Sequence, residues 1–250
     1  MRDILSEIVK QTIGLFDTVK ITGTEEEIKV EAMDDSMTLF LKGFLKPSPE
    51  FIGEFGLTNL DMLNGLLNFT SYKTEGSKFT VKRATLPKVG ETVVAFQFTD
   101  ANGTGSKFAT MNPNVIKAQA VIGSIDWEVQ TVPTKSKITE FTQLTSLYKS
   151  VDETFRATIV DGNLVFSLGD SHDTTHNASM VFASGIDGKL SKDIMKWKSG
   201  LFLNILKVAT VNNEVPTLSI SGRGPMGVSL KTENGSYNYV LRTADSEKKK

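Results

Sequence analysis

The sequence predicts an α+β protein built from two similar domains, each with antiparallel sheets. An amphipathic helix, several short strands, a second amphipathic helix and further strands occur in the first half of the chain and again in the second. Turn signals such as Asp161-Gly162 and Asn234-Gly235 separate the alternating runs, which is typical of β-hairpins. The 250 residues are enough for two domains of ordinary size.

The first repeat begins with a helix predicted over 3–16, because apolar residues recur at helical spacing from Ile4 to Ile13. Thr58 is the expected cap of a second helix over 58–69. Alternation of apolar and polar residues predicts the remaining elements of this repeat. These strands are expected at 18–22, 27–33, 37–45, 71–74, 78–83, 91–99 and 106–111, with turns at Glu75-Gly76 and Asn102-Gly103.

The second repeat follows residues 112–135, which break the periodicity and contain two prolines. Ser136 is the expected cap of a helix over 137–150, and a helix over 200–209 corresponds to the leucine-rich helix of the first repeat. Strands are expected at 154–160, 163–168, 178–183, 194–198, 217–221, 227–231 and 237–242, with a further turn at Asp187-Gly188.

These patterns predict four segments along the chain. A first domain covers 1–117, an interdomain crossover covers 118–133, and a second domain covers 134–244. The charged residues 245–250 are an expected disordered tail.

Composition excludes several classes of protein. Lys and Arg number 28 against 29 Asp and Glu, for a net charge of −1, so the bulk charge indicates neither nucleic-acid binding nor its absence. The chain has no cysteine, which excludes disulfides, thiolate catalysis and cysteine-bound zinc. No apolar run reaches the roughly 18 residues of a membrane span, and the N-terminus lacks a signal-peptide pattern. We expect a soluble cytoplasmic protein without a membrane partner.

No motif in the sequence indicates catalysis. Gly222, Gly224 and Gly227 fit the dinucleotide-binding spacing, but a predicted strand follows them and Pro225 removes an amide, so a turn between strands is the better interpretation. His172 and His176 lie in a polar stretch where they would not converge on a metal. We therefore predict no enzyme activity, no catalytic residue, no metal and no cofactor.

Lysines on the predicted helices are the candidate nucleic-acid contacts. Each lysine taken alone is better explained as part of a solvated helix face. Four helices covering one side of a sheet would, however, form a joint surface suited to phosphate backbones without contacting bases. The four candidates are Lys10, Lys137, Lys149 and Lys207.

Two stretches resemble the DNA sliding-clamp family, which includes proliferating-cell nuclear antigen and the clamps of T-even-type phages. The first, near Met33, is EAMDDSMTLFLKG. The second is GLFLNILKVATVNNEVPTLSISGRGPMGVSLKTENGSYNYVLRT, which is similar to the last helix and closing strands of clamps. The order and spacing of the elements extend the resemblance over nearly the whole chain.

The resemblance implies a homotrimeric ring with sheets outside and helices lining a central hole that holds duplex DNA. It implies a polymerase processivity factor whose partners are duplex DNA, a DNA polymerase, a clamp loader and further copies of itself. The sequence similarity to cellular clamps is low, but the order of the structural elements is preserved. This combination favours a viral or phage clamp, located in the host cytoplasm. The expected ring interface pairs 106–111 of one chain with 178–183 of the next.

The resemblance also implies a groove under the interdomain crossover, where clamps bind a short apolar peptide of a client protein. Met suits such a groove because its flexible side chain accepts different peptides. The crossover residues could instead pack on their own domains. The matching residues are Met33, Met37, Phe40, Val121, Ile122, Ile125, Trp127 and Pro225.

Two other functions stay open at the level of sequence. A structural, β-rich virion protein with two sandwich-like domains would assemble without DNA or polymerase. A monomeric processivity factor of the same fold would bind DNA through one basic face. The mass of the protein in solution distinguishes a trimer from the monomer.

Overall fold

One order of elements occurs twice among the residues described by the computed structural model, which are 1–116, 123–169, 176–190, 195–211 and 215–244. The order is a helix, four strands, a helix and three strands. The first repeat contains α1 (Arg2–Thr12), β1 (Val19–Gly23), β2 (Ile28–Met33), β3 (Leu39–Leu45), β4 (Gly53–Leu57), α2 (Leu60–Asn68), β5 (Lys78–Leu86), β6 (Gly90–Thr99) and β7 (Gly105–Ala109).

The second repeat follows a short additional strand, β8 (Val129–Thr131). It contains α3 (Lys135–Tyr148), β9 (Thr154–Val160), β10 (Asn163–Gly169), β11 (Asn177–Ser184), β12 (Lys196–Lys198), α4 (Ser199–Val211), β13 (Thr217–Ile220), β14 (Met226–Lys231) and β15 (Gly235–Leu241). The predicted α+β class and the duplication are confirmed.

The described residues fall into two compact units that do not follow the repeats completely. Unit 1 takes them from 1–34, 41–120 and 233–237, and unit 2 takes them from 35–40, 121–232 and 238–250. Each unit therefore includes part of β3 and part of β15. In unit 1 the Lys46 amide donates to the Asn234 carbonyl, and in unit 2 the Arg242 amide donates to the Thr38 carbonyl, each at 2.8 Å.

Unit 1 holds its helix pair together with apolar packing and one arginine. Its strands follow the orders β4-β1-β2-β3 and β5-β6-β7. On α1, Leu5, Ile8 and Val9 are buried, which is the stripe that the sequence predicts. The Arg2 guanidinium donates to the Leu67 carbonyl at 2.7 Å, and a cation there stabilises the end of α2 because helix C-termini carry partial negative charge.

Unit 2 repeats the same plan. Its strand order β11-β10-β9-β12 is the counterpart of β3-β2-β1-β4, and β13, β14 and β15 follow one another as β5, β6 and β7 do. An aromatic cluster fills the space between the helices and the sheet. Phe141 of α3 lies 5.0 to 5.9 Å from the ring centroids of four other phenylalanines, which are Phe155, Phe166, Phe182 and Phe202.

The local predictions were wrong at several places. Residues 71–74 are not a strand, because Thr70–Tyr72 form a 3-10 turn around buried Tyr72; Glu75-Gly76 is consequently not a hairpin turn. Thr58 is not the cap of α2, which starts after Asn59 in the left-handed region with φ 49°. The cap of α3 is Thr134 rather than Ser136, with Thr134 Oγ1 accepting from the Lys137 amide at 3.3 Å.

The two missed strands, β4 and β8, depend on partners far away in sequence. β4 pairs with β1, and β8 pairs with β13. Neither pairing leaves a local pattern, since β4 has two glycines and β8 has three residues. Among the described residues, no helix is both long and apolar enough to cross a membrane.

Replacing the central phenylalanine of unit 2 tests this packing. Phe141→Ala should lower the free energy of unfolding by about 3–5 kcal/mol, because it empties the centre of a buried ring cluster. Gln143→Ala, at an exposed position of the same helix, should change it by about 0.5 kcal/mol or less. Urea unfolding followed by circular dichroism measures both. Similar values for the two variants would contradict the proposed role of Phe141.

Candidate functional site

A groove in unit 2 lies where the end of α3 meets the start of α4. Its volume is about 480 Å³. Three lysines line it, and each comes from a different element: Lys149 directly follows α3, Lys198 ends β12, and Lys207 lies in α4. Two of the four predicted DNA-contacting lysines are thus in one groove.

The electrostatics of this groove favour an anion. Glu153 is the one acidic residue in its lining, so the side chains give a formal charge of +2. Ser199, Gly200 and Leu201 also line it, and they are the first turn of α4. Amides at a helix N-terminus carry partial positive charge. The groove can therefore accept a phosphate without contacting a base.

The four predicted lysines differ in how available they are. Lys10, Lys149 and Lys207 are exposed, and within the described part of the chain none of them has an ion-pair partner. Lys137 is half-buried and its Nζ lies 2.7 Å from Glu140 Oε2. A lysine held by a neighbouring carboxylate contributes less to binding a phosphate.

Lys198 is not among the four predicted lysines because those were chosen on predicted helices. It lies on a strand, immediately before the first residue of α4. The sequence does offer one signal for Lys198, which lies two residues before the helix predicted over 200–209. A basic side chain there adds its charge to the positive end of the helix dipole, and the two together indicate an anion site. Lys198 interacts with another residue in the folded chain.

Part of the predicted peptide groove forms one surface of unit 2. The segment 123–128 runs beside the turn that connects β13 and β14. The Glu128 amide donates to the Ile220 carbonyl at 3.0 Å, and a Cβ on Gly227 would lie 2.8 Å from the Trp127 ring. Trp127 therefore packs on the backbone of β14, which agrees in part with the alternative that crossover residues pack on their own domain.

The turn between β13 and β14 is the glycine-rich segment that mimics a dinucleotide fingerprint. The Ser221 amide donates to the Pro225 carbonyl at 2.9 Å, and β14 follows. No helix begins there, so the predicted strand-to-strand turn is confirmed. Trp197 Nε1 donates to the Gly224 carbonyl at 2.9 Å and fixes this turn on the core of unit 2.

Phe40 is buried under an arginine in unit 2. Only 3% of its surface is exposed, and the Arg242 guanidinium lies 5.0 Å from its ring centroid. Phe40 can therefore support a binding surface but offers little area for a ligand to contact. A charged residue in its place would disrupt the fold, so it is unsuitable for testing the groove.

The other groove residues are distributed unequally. Met37, Ile125, Trp127 and Pro225 are half-buried in unit 2 and keep surface available to a ligand. Met33 ends β2 in unit 1. Val121 and Ile122 lie outside the described residues, as does His172.

His176 is exposed. Within the described ranges, no cluster of three or more His, Asp or Glu side chains could hold a metal ion.

β7 and β11 are two of the edge strands in the described chain. In unit 1, β7 pairs with β6 on one side, and in unit 2, β11 pairs with β10 on one side. These are the strands expected to form the ring interface. Exposed apolar side chains of unit 1 include Met62 and Phe69, and those of unit 2 include Leu147, Val151 and Val181, the last on β11 itself.

The fold is similar to that of solved structures of PCNA. The chain is similar to PCNA from Thermococcus kodakaraensis with a TM-score of 0.71, 12% sequence identity and coverage of 97% of both chains. It is also similar to the structure of A. fulgidus PCNA bound to the C-terminal region of FEN-1, with a TM-score of 0.67, 11% identity and coverage of 97% of this chain and 95% of that one. No protein-family profile and no curated protein matches the sequence.

These similarities define the architecture of the chain. It has the fold of a DNA sliding clamp, with two similar domains in one chain. The expected clamp fold is confirmed, and it extends over nearly the whole length of the protein.

Proposed function

We propose that this protein is a DNA sliding clamp, a processivity factor that encircles duplex DNA as a homotrimer and tethers a DNA polymerase. It has no catalysis of its own, and a clamp loader places it on DNA. The observation that carries the proposal is the lysine groove of unit 2 on a clamp fold. A viral or phage origin is part of the proposal, supported by a clamp fold at only 11 to 12% identity to cellular clamps.

Contact with DNA is proposed through exposed lysines. Lys149 and Lys207 share the groove at the start of α4, and Lys10 is exposed on α1. Lysine is a compact charge on a flexible stem. Such side chains attract phosphates without fixing a register, which suits a protein that must slide. Lys137 is expected to contribute less because Glu140 partly neutralises it.

Assembly is proposed through β7 of one copy and β11 of the next. β3 and β15 lie side by side, and the amide hydrogen bonds described above join the chain at their ends. The counterpart of β3 in the second repeat is β11, and the counterpart of β15 in the first repeat is β7. Pairing β11 with β7 of a neighbour would repeat that arrangement and satisfy two open edges. A head-to-tail contact of this kind forms a ring when the rotation between copies closes, and a closed trimer is the proposed outcome.

The choice of edges has a physical basis. β11 is eight residues long and has no charged residue, so an uncovered β11 would be prone to aggregate. By contrast, β5 at the opposite edge of the β5-β6-β7 sheet carries three basic residues. Charges of this kind discourage pairing.

Apolar side chains beside both edges support the same interface. The exposed Phe69 ring lies 5.0 Å from that of Tyr72, whose hydroxyl is 2.7 Å from Ser106 Oγ on β7. In unit 2, Tyr148 Oη donates to the Asn177 carbonyl on β11 at 2.8 Å. Leu147, beside Tyr148, is 72% exposed. Each edge thus has an apolar group next to it that a neighbouring copy would cover.

Client binding is proposed on the unit 2 surface formed by Ile125, Trp127 and Pro225, with Met37 beside it. Half-buried aliphatic and aromatic side chains next to a rigid turn are the usual anchors of small peptide interfaces. A. fulgidus PCNA binds the C-terminal region of FEN-1, and we propose that this chain likewise binds a terminal peptide of its polymerase.

The DNA proposal predicts a change in salt dependence. Replacing Lys149 and Lys207 with alanine should reduce the slope of log affinity against log salt by about 1.8, because each lost phosphate contact removes about 0.9. Fluorescence anisotropy with duplex DNA over a series of salt concentrations measures the slope. The matched control is Lys189→Ala with Lys231→Ala, two exposed lysines of unit 2 outside the groove. If the salt slope changes equally in the two double variants, the groove has no specific role in DNA binding.

The ring proposal predicts a trimer of 27.4 kDa chains. Leu147→Asp should convert it to monomers at micromolar concentration, because a charge would be buried against the neighbour. Val160→Asp, 51% exposed in the same unit, should leave the trimer intact. Sedimentation equilibrium gives the masses. A monomeric wild type would favour the monomeric processivity factor, and assembly that DNA and polymerase do not affect would favour the virion protein.

The client proposal predicts loss of peptide binding without loss of the ring. Ile125→Asp should weaken binding of a fluorescent peptide from the polymerase C-terminus by at least about tenfold, because it places a charge on a desolvated anchor surface. Val132→Asp, at a 55% exposed position, is the control. Anisotropy titration and sedimentation give affinity and mass. If Ile125→Asp binds the peptide with unchanged affinity, the peptide does not bind at this surface.

A further inference from the structure

Arg242 differs from the other arginines of the chain in what its guanidinium contacts. The sequence has five arginines, all within the described residues. Four of them have an oxygen partner, which is a carbonyl or a carboxylate: Arg2, Arg83, Arg156 and Arg223. In the described part of the chain, the Arg242 guanidinium has the Phe40 ring and no oxygen acceptor.

The position of Arg242 is fixed although its side chain is exposed. Its amide donates to the Thr38 carbonyl at 2.8 Å, which holds the backbone. A guanidinium 5.0 Å from the Phe40 centroid is attracted to the ring face. Phe40 is itself buried and cannot move away. The result is an oriented set of donors for which the described residues supply no oxygen acceptor.

Arg242 lies next to the proposed client surface. The following residue, Thr243, has Cγ2 3.3 Å from the place where a Cβ on Gly224 would stand. Gly224 precedes Pro225 in the turn between β13 and β14. Arg223, on its other side, reaches Asp126 at 3.6 Å, and Asp126 precedes Trp127. A continuous series of unit 2 residues thus connects Arg242 with the apolar anchors.

We propose that Arg242 binds a carboxylate of the client peptide, carried by an acidic residue beside the apolar anchors. A guanidinium is planar and presents paired N–H donors that match a carboxylate. Negative charge is favoured at the Arg242 end, since the exposed Glu128 beside Trp127 repels an acidic residue there, while Asp126 is paired with Arg223. This inference rests on the proposed client surface and adds a rule for which peptides it accepts.

A selection from a displayed library of random short peptides tests the rule. The wild-type trimer should enrich Asp or Glu at one position beside the apolar anchors. Arg242→Glu should enrich Lys or Arg at that position. Lys231→Glu makes the same charge change at an exposed site of unit 2 away from the surface, and it should select like wild type.

A second measurement does not depend on the folding of any variant. An enriched acidic peptide and its twin with Asn or Gln in place of the acid are titrated against wild type at low salt. The acidic peptide should bind about five- to tenfold more tightly, since a charge-assisted hydrogen bond is stronger than a neutral one. Added salt should reduce the difference.

The outcomes separate this inference from the proposed function. In one outcome, the selected peptides depend on Ile125 and yet show no preference for an acidic residue; in another, they show the same acid preference with Arg242→Glu as with wild type. Either result would overturn the role of Arg242 but would still support the proposed client surface. A selection without any peptide that depends on Ile125 would overturn both. An acid preference that inverts in Arg242→Glu alone supports the role of Arg242.

Discussion

Backbone pairing at the edges of the sheets is the constraint on which the rest of this structure depends. A strand with one neighbour leaves a row of amides and carbonyls that must find a partner or be protected. Inside the chain, β3 and β15 satisfy each other, which is why each compact unit takes residues from both ends of the sequence. The counterpart strands β7 and β11 have no such partner among the described residues. In the proposed assembly, the duplication supplies the matching edges.

Net charge conceals how charge is distributed on this protein. The chain is nearly neutral, yet the groove at the start of α4 combines three lysines with one carboxylate. The binding of a polyanion depends on the local potential rather than on the total.

The sequence predicted the parts of the fold that leave a local pattern. Helical spacing located α1 through its stripe from Leu5 to Val9, and Asp161-Gly162 marked the β9–β10 hairpin with both residues at positive φ. β4 and β8 escaped because their pairing with β1 and β13 depends on residues far away in the chain. The cap of α3 was missed by two residues, since Thr134 and Ser136 are both acceptable caps and packing decides between them.

The candidate site was predictable to a similar extent. Helix positions identified Lys149 and Lys207, whereas Lys198 lies on a strand and required the meeting of β12 and α4 to be known. Phe40 was expected to contact a ligand because it is aromatic and lies in a recognisable motif. Its burial under Arg242 is a tertiary fact, because β3 and the end of β15 come from opposite ends of the sequence.

The two tryptophans offer a native optical probe of the proposed client surface. Trp197 is fully buried, so a soluble quencher hardly reaches its indole. Trp127 rests on Gly227 with part of its ring open to solvent, so quenching of the intrinsic emission should come mainly from this one side chain. Any molecule that covers the ring would shield it from the quencher and shift its emission to shorter wavelength. Occupancy of the surface can therefore be followed in the unlabelled protein.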